Sequence, residues 1–368
     1  MSARARIAGR VLGPGGFVDG ALAVADGRVA ALEPGPGDRR RLILPGFVDL
    51  HVHGGAGADV MDGPAAVGAV AAFHLRHGTT ALCPTTVTRP LPELEATVRA
   101  VAGLPDDPGR ARLLGVHLEG PFIAEKKRGA QPPFCLAPDP AALLRLLAAG
   151  PVATVTLAPE LPGALELVRL CRARGVRASL GHSAAGCAEG QAAFAAGASG
   201  VTHLFNAMRG LEHRDPGLAA AALEAEGAAL ELILDGHHVH PALFRLALRA
   251  ARGKLCLVSD AIRAAGLPPG QSELGGQPVV VEAGRVTLRD GTLAGSVLTL
   301  DRALALAVEA GVGLEEASAL LSRNPADALG RPDLGRLAPG AHADLLELDS
   351  DDLRLLRVWR GGVEVALA

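Results

Sequence analysis

The chain has 368 residues, of which 49% are hydrophobic, 20% charged and 2% aromatic; it has 47 Gly, 26 Pro, no Tyr and a formal net charge of −3. The apolar content excludes disorder, and the missing basic surplus and stacking aromatics argue against nucleic acid. Apolar runs end before the ~18 residues of a membrane helix.

The N-terminus, MSARARIAGRVLGPGG, carries Arg without an apolar stretch behind it and does not read as a signal peptide. Residues 1–43 show short alternating runs separated by Gly and Pro, the pattern of β-strands. Eight strand-like runs follow, at 42–53, 79–88, 113–122, 152–160, 176–183, 200–208, 228–239 and 254–262. Helical stretches lie between them, at 64–77, 92–102, 140–149, 161–174, 184–196, 217–225 and 241–252. Residues 275–292 read as a hairpin with Ala-Gly at its turn, 296–310 and 314–329 as helices, and 343–348 and 355–365 as strands. Eight alternating units over roughly 250 residues predict an α/β fold, a (β/α)8 TIM-type barrel. The β-rich ends predict a small β-sandwich-like domain built from 1–43 plus 335–368, with the barrel spanning 44–334.

Seven of the eight strand ends carry His, Glu, Asp or Asn, and barrel active sites lie at that end. Strand one ends in His51-Val52-His53, with both imidazoles on one face. Strand three ends in His117-Leu118-Glu119, strand five in His182, strand six carries His203 and Asn206, strand seven ends around Asp235 and His238, and strand eight ends in Asp260. A single strand-end His is more often a structural hydrogen-bonding group. The joint pattern points to chemistry, because imidazole and carboxylate groups converging from five strand ends suit one or two divalent ions. Such an ion activates water and polarises a carbonyl, and a neighbouring carboxylate can shuttle the proton. His74, His77, His213 and His342 read as packing or surface residues, and Gly54–Gly57 lacks the spacing of a phosphate loop. The five cysteines, Cys83, Cys135, Cys171, Cys187 and Cys256, are scattered and odd in number, which suits free thiols in a cytoplasmic protein.

The motifs PGFVDLHVHGGAGADVMDG (45–63), GVHLEGPFIAEKKRGAQ (115–131), LGHSAAG (180–186), VTHLFNAMRGLEHRDPG (201–217), LILDGHHVHP (232–241), LVSDAI (257–262) and LAGSVLTLDRAL (293–304) resemble the amidohydrolase superfamily. Within it, HLEGPF followed by THLFNAM is similar to the N-acetylglucosamine-6-phosphate deacetylases. The resemblance implies that Glu119, His182 and His203 hold a principal metal ion, that His51 and His53 hold a second, and that Asp260 is the acid/base and touches metal. It implies zinc first, with Fe, Co or Mn as alternatives, and one or two ions per chain. Ala130, Gln131, Asn206, Ala207, Leu293, Ala294 and Gly295 match substrate-contacting positions, and His238 and Arg214 match phosphate contacts, Arg214 reaching the neighbouring subunit of a homodimer. Gln131 stands where the family pattern has His; an amide can hydrogen-bond but cannot titrate. Only three lysines occur, Lys126, Lys127 and Lys254, and none suits a carbamylated metal bridge, which leaves Glu119 as the bridging candidate.

The implied reaction is hydrolysis of the acetamide of N-acetyl-D-glucosamine 6-phosphate, with Asp260 as general base and then acid. A deacetylase of another N-acetylhexosamine 6-phosphate, such as galactosamine, or a D-aminoacylase-like enzyme would use the same apparatus. A metal-free binding protein on this fold would be expected to have lost ligands, and all six positions are filled here.

Overall fold

The computed structural model describes residues 4–367. The outermost ends of the expected β domain, residues 1–3 and 368, lie outside the described residues. Four strands come first: β1 (Arg4–Gly13), β2 (Gly16–Ala25), β3 (Arg28–Pro34) and β4 (Arg41–Pro45). β1 and β2 form a ten-pair antiparallel hairpin closed at Gly13↔Gly16.

Eight parallel strands then pair in sequence order: β5 (Phe47–Val52), β6 (Thr79–Thr86), β7 (Val116–Glu119), β8 (Val152–Leu157), β9 (Arg177–Leu180), β10 (Gly200–Val201), β11 (Ala229–Leu232) and β12 (Lys254–Leu257). The ring closes just beyond β12, where Val52 and Ala261 form a parallel bridge. There the Asp260 N–H donates to His51 O and the His53 N–H to Ala261 O, both at 2.9 Å. Helices cover the outside. In Ala164–Ala173, Ala164, Leu167, Val168 and Cys171 are the buried positions, the spacing of one apolar stripe facing the barrel. With aromatics scarce, this main core is built from Val, Leu and Ala, joined by the buried Phe47, Phe122 and Phe244.

Past the barrel, β13 (Gly270–Leu274), β14 (Gln277–Glu282) and β15 (Arg285–Thr287) form an antiparallel sheet. Its second turn is Ala283-Gly284, both left-handed at φ 48° and 79°, as the sequence predicts for a tight hairpin. Helices Leu300–Glu309, Leu314–Leu321 and Arg323–Ala328 lead to β16 (Leu345–Asp349), β17 (Leu355–Arg360) and β18 (Val363–Val365). These rejoin the first sheet in the order β18-β17-β16-β4-β1-β2-β3.

Two expectations need correction. The run 42–53 is two strands, because the chain breaks at Gly46, whose Cβ would lie 2.2 Å from Thr80 Oγ1. The first part, β4, pairs with β1 and β16, so Leu44 and Pro45 sit in the terminal sheet rather than the barrel. The β-sandwich-like domain expected from the two ends is this one seven-stranded sheet. It curls so that Val24, Val29, Ile43, Leu345 and Trp359 share a core of their own. Lastly, several barrel strands are shorter than expected. β9, β10 and β12 end at Leu180, Val201 and Leu257, so His182, His203 and Asp260 stand on the loops just beyond them.

Candidate active site

Six polar side chains converge at the C-terminal mouth of the barrel. His51 is the penultimate residue of strand β5 and His53 the residue just after it, while Glu119 is the final residue of β7. His182, His203 and Asp260 hold left-handed backbone conformations at φ 47°, 32° and 49°. Non-glycine residues adopt such angles at a cost of about 1–3 kcal/mol, which the surrounding packing must sustain. All six residues are buried.

The cluster has two halves. Glu119, His182 and His203 form one; His51, His53 and Asp260 form the other. Glu119 spans them. Its Oε1 lies 3.1 Å from His182 Nε2 and 3.0 Å from His203 Nε2, and its Oε2 lies 3.3 Å from His53 Nε2. Asp260 Oδ1 is 3.1 Å from His53 Nε2 and 3.5 Å from His51 Nε2.

The opposite ring nitrogens fix the tautomers. His182 Nδ1–H donates to Lys127 O at 2.9 Å, His203 Nδ1–H to Asn206 O at 3.2 Å, and His53 Nδ1–H to Thr85 O at 3.1 Å. His51 Nδ1–H donates to Glu231 Oε2 at 3.2 Å. In the neutral rings, therefore, all four Nε2 atoms turn bare lone pairs inward. His182 and His203 bring theirs within 3.0 Å, and His51 and His53 within 3.1 Å. Lone pairs that close repel unless a proton or a cation sits among them. Four imidazole nitrogens, each on a ring whose other nitrogen is hydrogen-bonded, and two carboxylates are a donor set suited to divalent metal.

The electrostatics of the metal-free cluster show the same tension. Burial opposes charge on His53, but hydrogen bonds and charge from Asp260 and Glu119 outweigh it and hold the imidazole at about 9. Burial likewise pushes Asp260 up, and His51 and His53 more than reverse this, bringing it to about 2. A proton on His53 would stand in for a cation at that half of the cluster.

The sequence model of the Amidohydrolase family matches residues 42–365, nearly the whole chain. This chain belongs to the amidohydrolase family. Among curated proteins, the amidohydrolase is 41% identical over 365 residues to an N-acetylgalactosamine-6-phosphate deacetylase of Escherichia coli O157:H7, covering 96% of this chain and 97% of that one. It is 38% identical to an N-acetylglucosamine-6-phosphate deacetylase of Vibrio furnissii, covering 90% and 84%. Among solved structures it superposes at a TM-score of 0.92, with 35% identity over 99% of this chain and 100% of the other, on a mutant N-acetyl-D-glucosamine-6-phosphate deacetylase of Mycobacterium smegmatis in complex with N-acetyl-D-glucosamine-6-phosphate.

A cavity of about 320 Å³ opens over the cluster of this amidohydrolase. That is at the lower end of small-molecule sites, about 300–1,000 Å³. A larger cleft of about 630 Å³ lies between the β1–β2 turn and the helices after the barrel, and none of the six residues lines it. Of the positions singled out in the sequence, Ala130, Gln131, Asn206, Ala207, His238, Leu293 and Gly295 line the 320 Å³ cavity. Ala294 does not; its side chain is buried among Val87, Ala130 and Ile262. Arg214 is exposed in the 209–216 loop and does not line the cavity of its own chain. Gln131 has both amide ends engaged by protein: its Oε1 accepts from Thr88 N–H at 2.6 Å and its Nε2 donates to Glu119 Oε2. His238 Nδ1–H donates to Asp235 Oδ2 at 2.7 Å, which overcomes burial and raises the imidazole above its ordinary value.

Other residues emerge only from the structure. Lys126 and Lys127, two of the chain's three lysines, line the cavity, as do Ile233, Leu274 and Thr292. Below the cluster lies a fully buried polar layer of Asp49, His117 and Glu231, with Arg177 at its edge. Burial raises Asp49 to about 7 and lowers His117 to about 3. Glu231 is lowered to about 2, because the Arg177 guanidinium, His51 and His117 together outweigh its burial. The visible signal for Glu231 and Arg177 was a charge inside an otherwise apolar strand run.

Proposed function

We propose that this amidohydrolase hydrolyses the acetamide of N-acetyl-D-glucosamine 6-phosphate, releasing D-glucosamine 6-phosphate and acetate. The observation that carries this reading is the inward-facing donor set beneath a sugar-sized cavity, in a chain 38% identical to N-acetylglucosamine-6-phosphate deacetylases over most of its length. A divalent ion held there would lower the pKa of water and polarise the acetyl carbonyl. Glu119, His182 and His203 would hold one ion, and His51, His53 and Asp260 a second. Zinc is favoured by the His and carboxylate ligands, with Fe, Co and Mn as alternatives.

Asp260 carries the proton chemistry. Its carboxylate faces the cavity from the loop after β12, ionised and within 3.5 Å of His51 and His53. It takes a proton from the attacking water and delivers it to the departing amine. Gly295 lets the 293–295 loop pack against it, because a Cβ there would fall 3.0 Å from Asp260 O. Asn206 and Ala207 border the sugar. His238, fixed by Asp235, keeps its Nε2 for the phosphate. Arg214 supplies a bidentate phosphate clamp across a two-fold homodimer, a reading supported by its exposure away from its own cavity. The described cysteines are all free, which suits the cytoplasm.

A second reading, N-acetyl-D-galactosamine 6-phosphate as substrate, is favoured by one observation: the E. coli relative of that name matches over 97% of its length. Acetate release from both epimers, each with and without the 6-phosphate, separates them. The first reading expects the phosphorylated glucosamine derivative to give the highest kcat/KM. It fails if the galactosamine epimer is preferred, and both fail if phosphate makes no difference. Arg214→Ala should raise KM for the phosphorylated sugar about tenfold and leave the unphosphorylated one unchanged.

A further inference from the structure

Three of the four inward-facing histidines are oriented by main-chain carbonyls: those of Lys127, Asn206 and Thr85. The backbone supplies those acceptors whatever the side chains are. His51 is the exception. Its Nδ1–H meets a side chain, the Glu231 carboxylate, at 3.2 Å. Glu231 comes from β11, on the far side of β12 from β5, and is completely buried. Its second oxygen, Oε1, accepts from Arg177 Nη2, and Arg177 Nε–H donates to Thr154 Oγ1 at 3.1 Å. A chain of contacts thus runs from β8 through Arg177 and Glu231 to the ring of His51.

His51, His117 and Glu231 could be mistaken for a third ion site, since their ligand atoms cluster. The hydrogen bonding argues otherwise. His117 has both nitrogens committed, to Leu50 O at 3.0 Å and Thr156 Oγ1 at 2.7 Å, and both Glu231 oxygens are taken. The group is a support for the site above it. A carboxylate behind a ligating imidazole sets the tautomer and raises the basicity of the other nitrogen.

We infer that Glu231, locked by Arg177, is the positioning residue that keeps His51 Nε2 free of hydrogen, and so decides whether the His51–His53–Asp260 half binds a metal ion. The inference rests on the two-ion reading above. It explains a charged pair in a barrel interior where apolar residues would pack at lower desolvation cost.

The test uses an isosteric change. In Glu231→Gln the amide oxygen stays with Arg177, so the amide NH₂ faces His51 Nδ1 and places the ring hydrogen on Nε2. In Arg177→Met/Glu231→Gln the amide is free to turn, its oxygen can accept from Nδ1–H again, and the ligating tautomer returns. Zinc is titrated into the stripped full-length chain, with zinc per chain and both affinities measured. Histidine ¹⁵N NMR reads the tautomer, and a thermal melt checks folding. Wild type is expected to bind two zinc ions. Glu231→Gln is expected to keep the first and lose about 10–100-fold in affinity for the second, and the double variant to recover it. Equal loss in the single and double variants, with the tautomer unchanged, would reduce Glu231 to a packing role and overturn the inference. Two unchanged affinities in Glu231→Gln overturn it alone, and a wild type that binds one ion overturns the two-ion reading with it.

Discussion

The two halves of the His and carboxylate cluster are built in different ways. In the Glu119–His182–His203 half, both histidines stand on loops in left-handed conformations and are braced by main-chain carbonyls. The His51–His53–Asp260 half lies on the seam where β5 meets the loop after β12, knitted by the hydrogen bonds from Asp260 N–H and His53 N–H. One half depends on loop shape, the other on barrel closure and on a buried ion pair below. Two ligand sets with separate mechanical supports can fail separately, and Glu119 is the one residue in close contact with both.

Substitutions should expose that division. Asp260→Asn has the largest expected effect, because it removes the proposed proton carrier: kcat should fall by about 10²–10⁴ while zinc remains on the loop half. His182→Ala should act the other way, abolishing tight zinc binding at the loop half while the seam half still takes up an ion; competition with a chromogenic chelator measures both. Smallest is a pH effect confined to the seam. In the stripped protein His53 rises from 6.5 to about 9, so its stabilisation is complete below pH 6.5 and is lost as the pH rises through 9. Asp260, lowered from 3.8 to about 2, contributes above 3.8 and loses that contribution as the pH falls through 2. The Tm of stripped protein should therefore decline from pH 6.5 to 9. His53→Gln should flatten that decline, and His182→Ala should not.

Much of the seam and the mouth was legible in the sequence. His-x-His at a strand end, Glu119, and Asp260 after the eighth apolar run mark positions that a barrel must bring together. The alternation of strand and helix signals sufficed to predict that barrel, because each unit is specified locally. What escaped was set by contacts between distant segments. Gly46 looks like an ordinary residue inside a β-rich run; only its approach to Thr80 shows why the strand divides there. Glu231 and Arg177 lie 54 positions apart, and nothing in either strand alone pairs them beneath His51. Lys126 and Lys127 read as loop residues because the fold of that loop over the cavity depends on contacts such as Lys127 Nζ donating to Met208 O at 3.2 Å. Gln131 matches a substrate-contacting position by pattern, while its local bonds tie it to Thr88 and Glu119.

The central claim is that this donor set, loaded with metal, performs amide hydrolysis on a phosphorylated amino sugar. It is tested most directly by acetate release from N-acetyl-D-glucosamine 6-phosphate before chelation, after removal of metal, and after zinc is restored. The account predicts release, loss and recovery in step with zinc bound per chain. Hydrolysis that persists at full rate in the stripped protein would contradict it.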